Sequence, residues 1–164
     1  MLSRFGAALN QRTPAIATRH FNPVSFQSFT KRSYAGHAMS SQSTQLNVFG
    51  EPLIVCCTNP MTGFFRTGYC ETEEETDLGI HTICAYVTEE FLAHQRKIGN
   101  DLVTPRPQFS FPGLKPGDHW CVCAKRWKES LDAGIITKVK LQSTHMKTLR
   151  VLNMTLEELQ QYGK

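Results

Sequence analysis

No carboxylate occurs in this chain of 164 residues before Glu51. The acid-free Met1 to Tyr34 segment carries Arg4, Arg12, Arg19, Lys31 and Arg32, and serine and threonine are frequent in it. Leu2, Phe5 and Leu9 fall at helical spacing until Pro14 interrupts. An Arg-rich, Ser-rich, acid-free and weakly amphipathic N-terminus reads as an organellar transit peptide. Long apolar runs are lacking too, which argues against a secretory signal and against membrane insertion. Arg32-Ser33-Tyr34 before Ala35 resembles a mitochondrial processing site, so the expected destination is the mitochondrial matrix, with a chloroplast address as the competitor. The expected layout is a transit peptide over 1–34, a polar flexible leader over 35–47 and one domain over 48–164.

The net charge of +4 belongs to the 1–34 segment. Without the five cations before Ala35, 13 Lys and Arg face 14 Asp and Glu, a net of −1. A domain so balanced has no electrostatic footprint for nucleic acid. The paired metal spacings are absent as well: no Cys-x2-Cys knuckle and no His-x3-His pair. There are six cysteines, Cys56, Cys57, Cys70, Cys84, Cys121 and Cys123. A matrix destination argues that they are reduced.

The segment 81–87, HTICAYV, reads as a core strand, with Ile83, Ala85 and Val87 on one face and Thr82, Cys84 and Tyr86 on the other. Thr88 caps a helix whose first turn holds Glu89 and Glu90, and Gly99 stops it. Further strands are expected at 52–57, 139–141 and 149–152, and a capping box of Thr155 and Glu158 opens a last helix. The acidic run 71–77 reads as a solvated loop. Four prolines stiffen the loop from Asn100 to Asp118, with Phe109 and Phe111 expected to pin it to the core. The irregular alternation points to an α+β fold: one compact domain in which a small, partly antiparallel sheet packs with about three helices.

The stretch GDHWCVCAKRW, residues 117–127, admits two periods. As a helix capped by Asp118, it aligns Trp120, Cys123, Ala124, Trp127 and Leu131 in one stripe. As a strand, it puts Cys121 and Cys123 on one face. The helix accounts for more residues. It turns Cys121 and Cys123 about 200° apart. Cys121 then lies in the electropositive first turn as a candidate nucleophile, and Cys123 packs in the core.

The motifs CCTNPMTGFFRTGYC, HTICAYVTEEFL and GNDLVTPRPQFSFPGLKPGDHWCVCAKRW, with the pair Thr144-His145, resemble the "domain of unknown function 2237" family of small bacterial and organellar proteins. The resemblance runs from Asn47 to the C-terminus. It implies the domain boundary and supplies no reaction. It also implies polar family positions at Arg66, His81, Asn100, Asp101, Arg106, Arg126 and His145. Asn59 stands where the family pattern tends to have Asp before the turn proline, and a neutral amide there is a poor general base or hard-metal ligand.

Three constellations follow. Cys121 as a nucleophile wants a base, which His81, His145 or His119 could supply. Cys56, Cys57, Cys70, Cys84 and Cys121, with His81 and His145, are enough in number for a zinc ion. Arg66, Arg106 and Arg126 could converge on a small anionic ligand. The leading expectation is a cysteine-centred thiol or metal site. The alternative is a non-catalytic binding or assembly factor that docks a protein partner through the proline-rich loop.

Overall fold

A computed structural model describes residues 43–164 of the chain. The expected transit peptide and residues 35–42 of the leader lie outside the described residues. Two strands form an antiparallel pair, β1 (Ile83–Tyr86) and β2 (His119–Val122). Four helices accompany the strands: α1 (Glu89–Lys97) between them, then α2 (Ala124–Asp132), α3 (Lys147–Leu152) and α4 (Leu156–Gln160) after β2. This is the α+β fold expected, with four α-helices rather than about three.

The 117–127 stretch is the main correction. His119 to Val122 is extended, and the helix begins only at Ala124, with Cys123 as its N-cap. The register pairs Ile83 with Val122, Cys84 with Cys121 and Ala85 with Trp120. Alternation sends Trp120 and Val122 into the apolar core with Ile83, Ala85 and Val87. It sends Cys121 to the opposite face, beside Cys84. A four-residue apolar run satisfies either period locally, and the ladder with β1 decides for the strand. Asp118 caps no helix; its carboxylate accepts from the Lys115 amide at 2.9 Å.

Elements with explicit capping signals fall where expected. Thr88 Oγ1 accepts from the Phe91 amide, and Gly99 ends α1 at φ +84°. Thr155 and Glu158 form both halves of a capping box. The other expected strands do not form. Residues 149–152 lie within α3, Val139 makes only single bridges to Ala85 and Gly163, and 52–57 holds one bridge, Pro52 to Leu46.

Helix α2 packs on β1, α1 and α3. Trp127 is its buried anchor, with Nε1 donating to the Thr137 carbonyl at 3.1 Å. Buried Gln95 of α1 crosses to α2. Its Nε2 donates to the Arg126 carbonyl and Ser130 Oγ, and its Oε1 accepts from Asn100 Nδ2 at 2.6 Å. That network fixes the start of the proline-rich loop against the helix pair. Phe111 pins the loop, with its ring 5.2 Å from Trp120. Phe109, expected to do the same, is 62% exposed at the loop tip.

Residues 43–82 contain no regular helix or strand. Two disulfides tie this segment to the ladder, Cys56–Cys84 and Cys70–Cys121. Each joins a loop cysteine to a strand cysteine. The expectation of reduced thiols is corrected for these four. The register of β1 and β2 sets Cys84 beside Cys121, and the loop brings a partner to each within bonding distance, with Cα–Cα separations of 5.7 and 5.2 Å. Cys57 and Cys123 remain free.

Candidate active site

The free thiol of Cys123 lies at the N-cap of α2, where first-turn amides lack helical partners and the dipole is positive. Its Sγ is 3.1 Å from Nε2 of His81. The other ring nitrogen, Nδ1, is 2.5 Å from Oδ1 of Asp77. A thiol, an imidazole and a carboxylate thus form one chain, with the imidazole in the middle. This is the nucleophile, base and orienting-acid order that activates a cysteine.

The turn from Asp77 to His81 builds the arrangement. Asp77 is buried, and its Oδ2 accepts from Thr72 Oγ1 at 2.9 Å and from the His81 amide at 2.8 Å. The Ile80 amide donates to the Asp77 carbonyl, and the Ile80 carbonyl accepts from Ala124, the first residue of α2. That bond clamps the turn to the helix mouth. Ile80 pays for the geometry with φ +53°, a strained region for a β-branched residue. Gly79 leaves the space: a Cβ there would lie 2.6 Å from His81 Cε1 and 3.0 Å from Cys123 Sγ.

Burial acts to lower the His81 pKa, but the hydrogen bond to Asp77 and the contact with Cys123 outweigh it and push it up to about 9. Burial acts to raise Asp77, yet the bonds from His81 and Thr72 hold its carboxyl below the ordinary value. At neutral pH the pair is therefore an imidazolium held by a carboxylate, with a sulfur against the remaining N–H. Phe64 stacks on the imidazole, with centroids 5.7 Å apart.

His81 lines a cleft of about 650 Å³ that also presents Phe64, Arg66, Arg106, Phe109 and Trp120. The Arg66 guanidinium donates to the Gly63 and Phe109 carbonyls and lies 5.1 Å over the Trp120 ring. Its Nε is buried without a hydrogen-bond partner. Two of the three expected arginines, Arg66 and Arg106, thus meet in one cleft. Arg126 stands outside it, paired with Glu129 at 2.9 Å on the surface of α2.

The other expected site residues are distributed differently. Cys121 is buried on β2 and bonded to Cys70, so it offers no free thiol; the strand has exchanged its expected role with that of Cys123. His145 serves its own turn, with Nδ1 accepting from the Lys147 amide, and burial followed by the Lys147 charge lowers its pKa. His119 packs on Tyr86, 3.9 Å between centroids. Cys56, Cys70 and Cys84 do converge, whereas the Cys57 thiol donates to the Asn59 carbonyl. Two members of the chain were missed in the sequence. Asp77 sat in an acidic run that reads as solvated, and Cys123 sat in an apparent helical stripe. The Asp-x3-His spacing of Asp77 and His81 was the available signal.

Fold and site together define a small α+β domain whose irregular first third is held by two disulfides and which carries a cysteine, histidine and aspartate in contact. Residues 46–163 match the family model described as "Uncharacterized protein conserved in bacteria (DUF2237)", and the chain belongs to that family. A comparison with curated proteins gives no match.

Proposed function

We propose that the protein is a thiol-dependent acyl-transfer enzyme in which Cys123 is the nucleophile, His81 its acid and base, and Asp77 the group that orients His81. The contact of Cys123 Sγ with His81 Nε2, backed by Asp77, is the observation that carries this reading. In the reaction, sulfur attacks a carbonyl carbon and a C–S bond forms. The bond to the leaving group breaks as His81 passes a proton to it. Water, deprotonated by His81, or a second acceptor then releases the acyl group and restores the thiol. With the Ala124 amide engaged by Ile80, the next two first-turn amides of α2, those of Lys125 and Arg126, supply donors for the developing oxyanion. The cleft beside His81 supports a substrate with an apolar or aromatic body and an anionic group, received by Arg66 and Arg106.

The test uses the full chain and p-nitrophenyl esters with and without a terminal carboxylate. The expected result is a burst of p-nitrophenol, an acyl adduct on Cys123 by mass spectrometry, and preference for the carboxylate ester. Absence of an adduct on Cys123, or an adduct formed equally in His81→Asn, overturns the reading.

The exposed ring of Phe109 favours a second reading, a docking role for the proline-rich loop. Under it, Phe109→Ser abolishes capture of a partner while Cys123→Ser does not. The basic, acid-free 1–34 segment supports a mitochondrial address, which import of the full chain into isolated mitochondria tests.

A further inference from the structure

Behind the cleft, on the face of the β1–β2 pair opposite the apolar core, lies a second sulfur centre. We propose that Cys56, Cys70, Cys84 and Cys121 are, when reduced, the four ligands of one tetrahedral zinc ion.

The four side chains are buried and pack as a cluster of their own, apart from the main core. They come from four separated chain segments. Cys84 and Cys121 are directly opposed across the ladder. The Sγ atoms of Cys56, Cys70 and Cys84 all lie within 4.8 Å of one another, and that of Cys121 is bonded to Cys70. Two structural disulfides require only that each pair meet; here Cys70 of one pair also lies within reach of both sulfurs of the other. A tetrahedral zinc with ~2.3 Å bonds to sulfur needs ligands about 3.8 Å apart, close to the spread already present. The tight spacing suits a single ion. No carboxylate or imidazole belongs to the cluster, and a four-thiolate set favours zinc over hard cations.

The surroundings suit the charge. Zinc with four thiolates carries two negative charges. Lys140 donates its amide to the Cys84 carbonyl and its ammonium to the Val55 carbonyl, next to Cys56. A cation therefore stands beside the centre.

The disulfides are the oxidised form of the site. A cellular dithiol converts one form to the other: each disulfide takes two electrons and two protons, and two dithiols become two disulfides. Zinc binding then releases thiol protons, up to four. The centre shares no ligand with Cys123, His81 and Asp77, so the inference stands independently of the acyl-transfer reading.

Full-length protein purified with a phosphine reductant and supplied with zinc chloride should retain one zinc per chain by elemental analysis. Cobalt in its place should give the intense visible and charge-transfer bands of a tetrahedral thiolate site. Two equivalents of hydrogen peroxide should expel the metal, form two disulfides, lower the mass by four hydrogens and yield four water molecules. The zinc should persist in Cys57→Ser and Cys123→Ser and be lost in Cys70→Ser. If Cys70→Ser does not fold, the cobalt spectrum of the unsubstituted protein decides between four sulfur ligands and a mixed nitrogen–sulfur set. Reduced protein with four titratable buried thiols and no retained zinc overturns the proposal. So does loss of zinc in Cys123→Ser or His81→Asn.

Discussion

His81 presents Nε2 to Cys123 Sγ at 3.1 Å while Asp77 holds its opposite nitrogen. The two residues lie 42 positions apart, and what joins them is the clamp between the Ile80 carbonyl and the first amide of α2. The relationship is therefore sensitive both to the chemistry of the ring and to the turn that carries it.

The first prediction concerns reactivity. In a Cys57→Ser background, Cys123 is the remaining free thiol among the described residues. Iodoacetamide should label it rapidly at pH 7, and His81→Asn should slow labelling by roughly tenfold or more as the imidazole in contact with the sulfur is lost. Asp77→Asn should slow it less, since the imidazole remains. Peptide mapping with time-resolved alkylation gives the rates. Equal rates in all three proteins would remove the case for an activated thiol.

Stability should depend on pH in a defined direction. The His81 pKa is pushed up to about 9 in the folded protein from an ordinary value near 6.5. A group raised on folding stabilises the protein most below its unfolded pKa, and that contribution fades as pH rises through the folded value. The midpoint of thermal unfolding should fall between pH 6.5 and pH 9 or just above, and His81→Asn should flatten that fall. Asp77 has the opposite sign. Its pKa is depressed on folding, so its contribution holds above about pH 4 and fades as pH drops through the lower folded value.

Gly79→Ala tests the fit of the turn. The added methyl would meet His81 Cε1 at 2.6 Å and Cys123 Sγ at 3.0 Å. The imidazole must swing off the sulfur to make room. Alkylation of Cys123 should slow toward the His81→Asn rate, while far-ultraviolet circular dichroism stays unchanged. Retention of the fast rate would mean that the contact survives a side chain at this position.

The disulfides should carry much of the stability of the irregular first segment. They close loops with sequence separations of 28 and 51 residues. Chain-entropy reasoning assigns about 3.5 and 4 kcal/mol to such loops. Reduction in the presence of a chelator should lower the urea midpoint markedly, and added zinc should restore part of it. Cys56→Ala with Cys84→Ala should cost about 3.5 kcal/mol on the same scale.

An edge of the proline-rich loop gives a last test. Arg66 lies over Trp120 with its fork on two carbonyls. Arg66→Lys keeps a charge but loses the planar fork. The preference for carboxylate-bearing esters should drop several-fold, with turnover of the uncharged ester little altered. Equal losses on both esters would place Arg66 in the framework of the cleft instead.

Much of this molecule follows from local chemistry that its amino acids carry wherever they stand. Thr88 with its acidic first turn, the capping box of Thr155 and Glu158, and the alternation of residues 83–87 each specify an element from within a few positions. The family relation and the α+β class follow from the same short motifs. The site did not, because its members are chosen by pairing over long separations. Trp120 to Val122 suits a helix or a strand until β1 lies beside it. That one choice, made by ladder hydrogen bonds and by burial on both faces, seals Cys121 into a disulfide and sets Cys123 at the mouth of α2. Asp77 likewise reads as one more surface acid until the turn at Ile80 folds it under His81. Local propensity ends at the reach of a turn; the meeting of Cys123, His81 and Asp77 is a property of the packed chain alone.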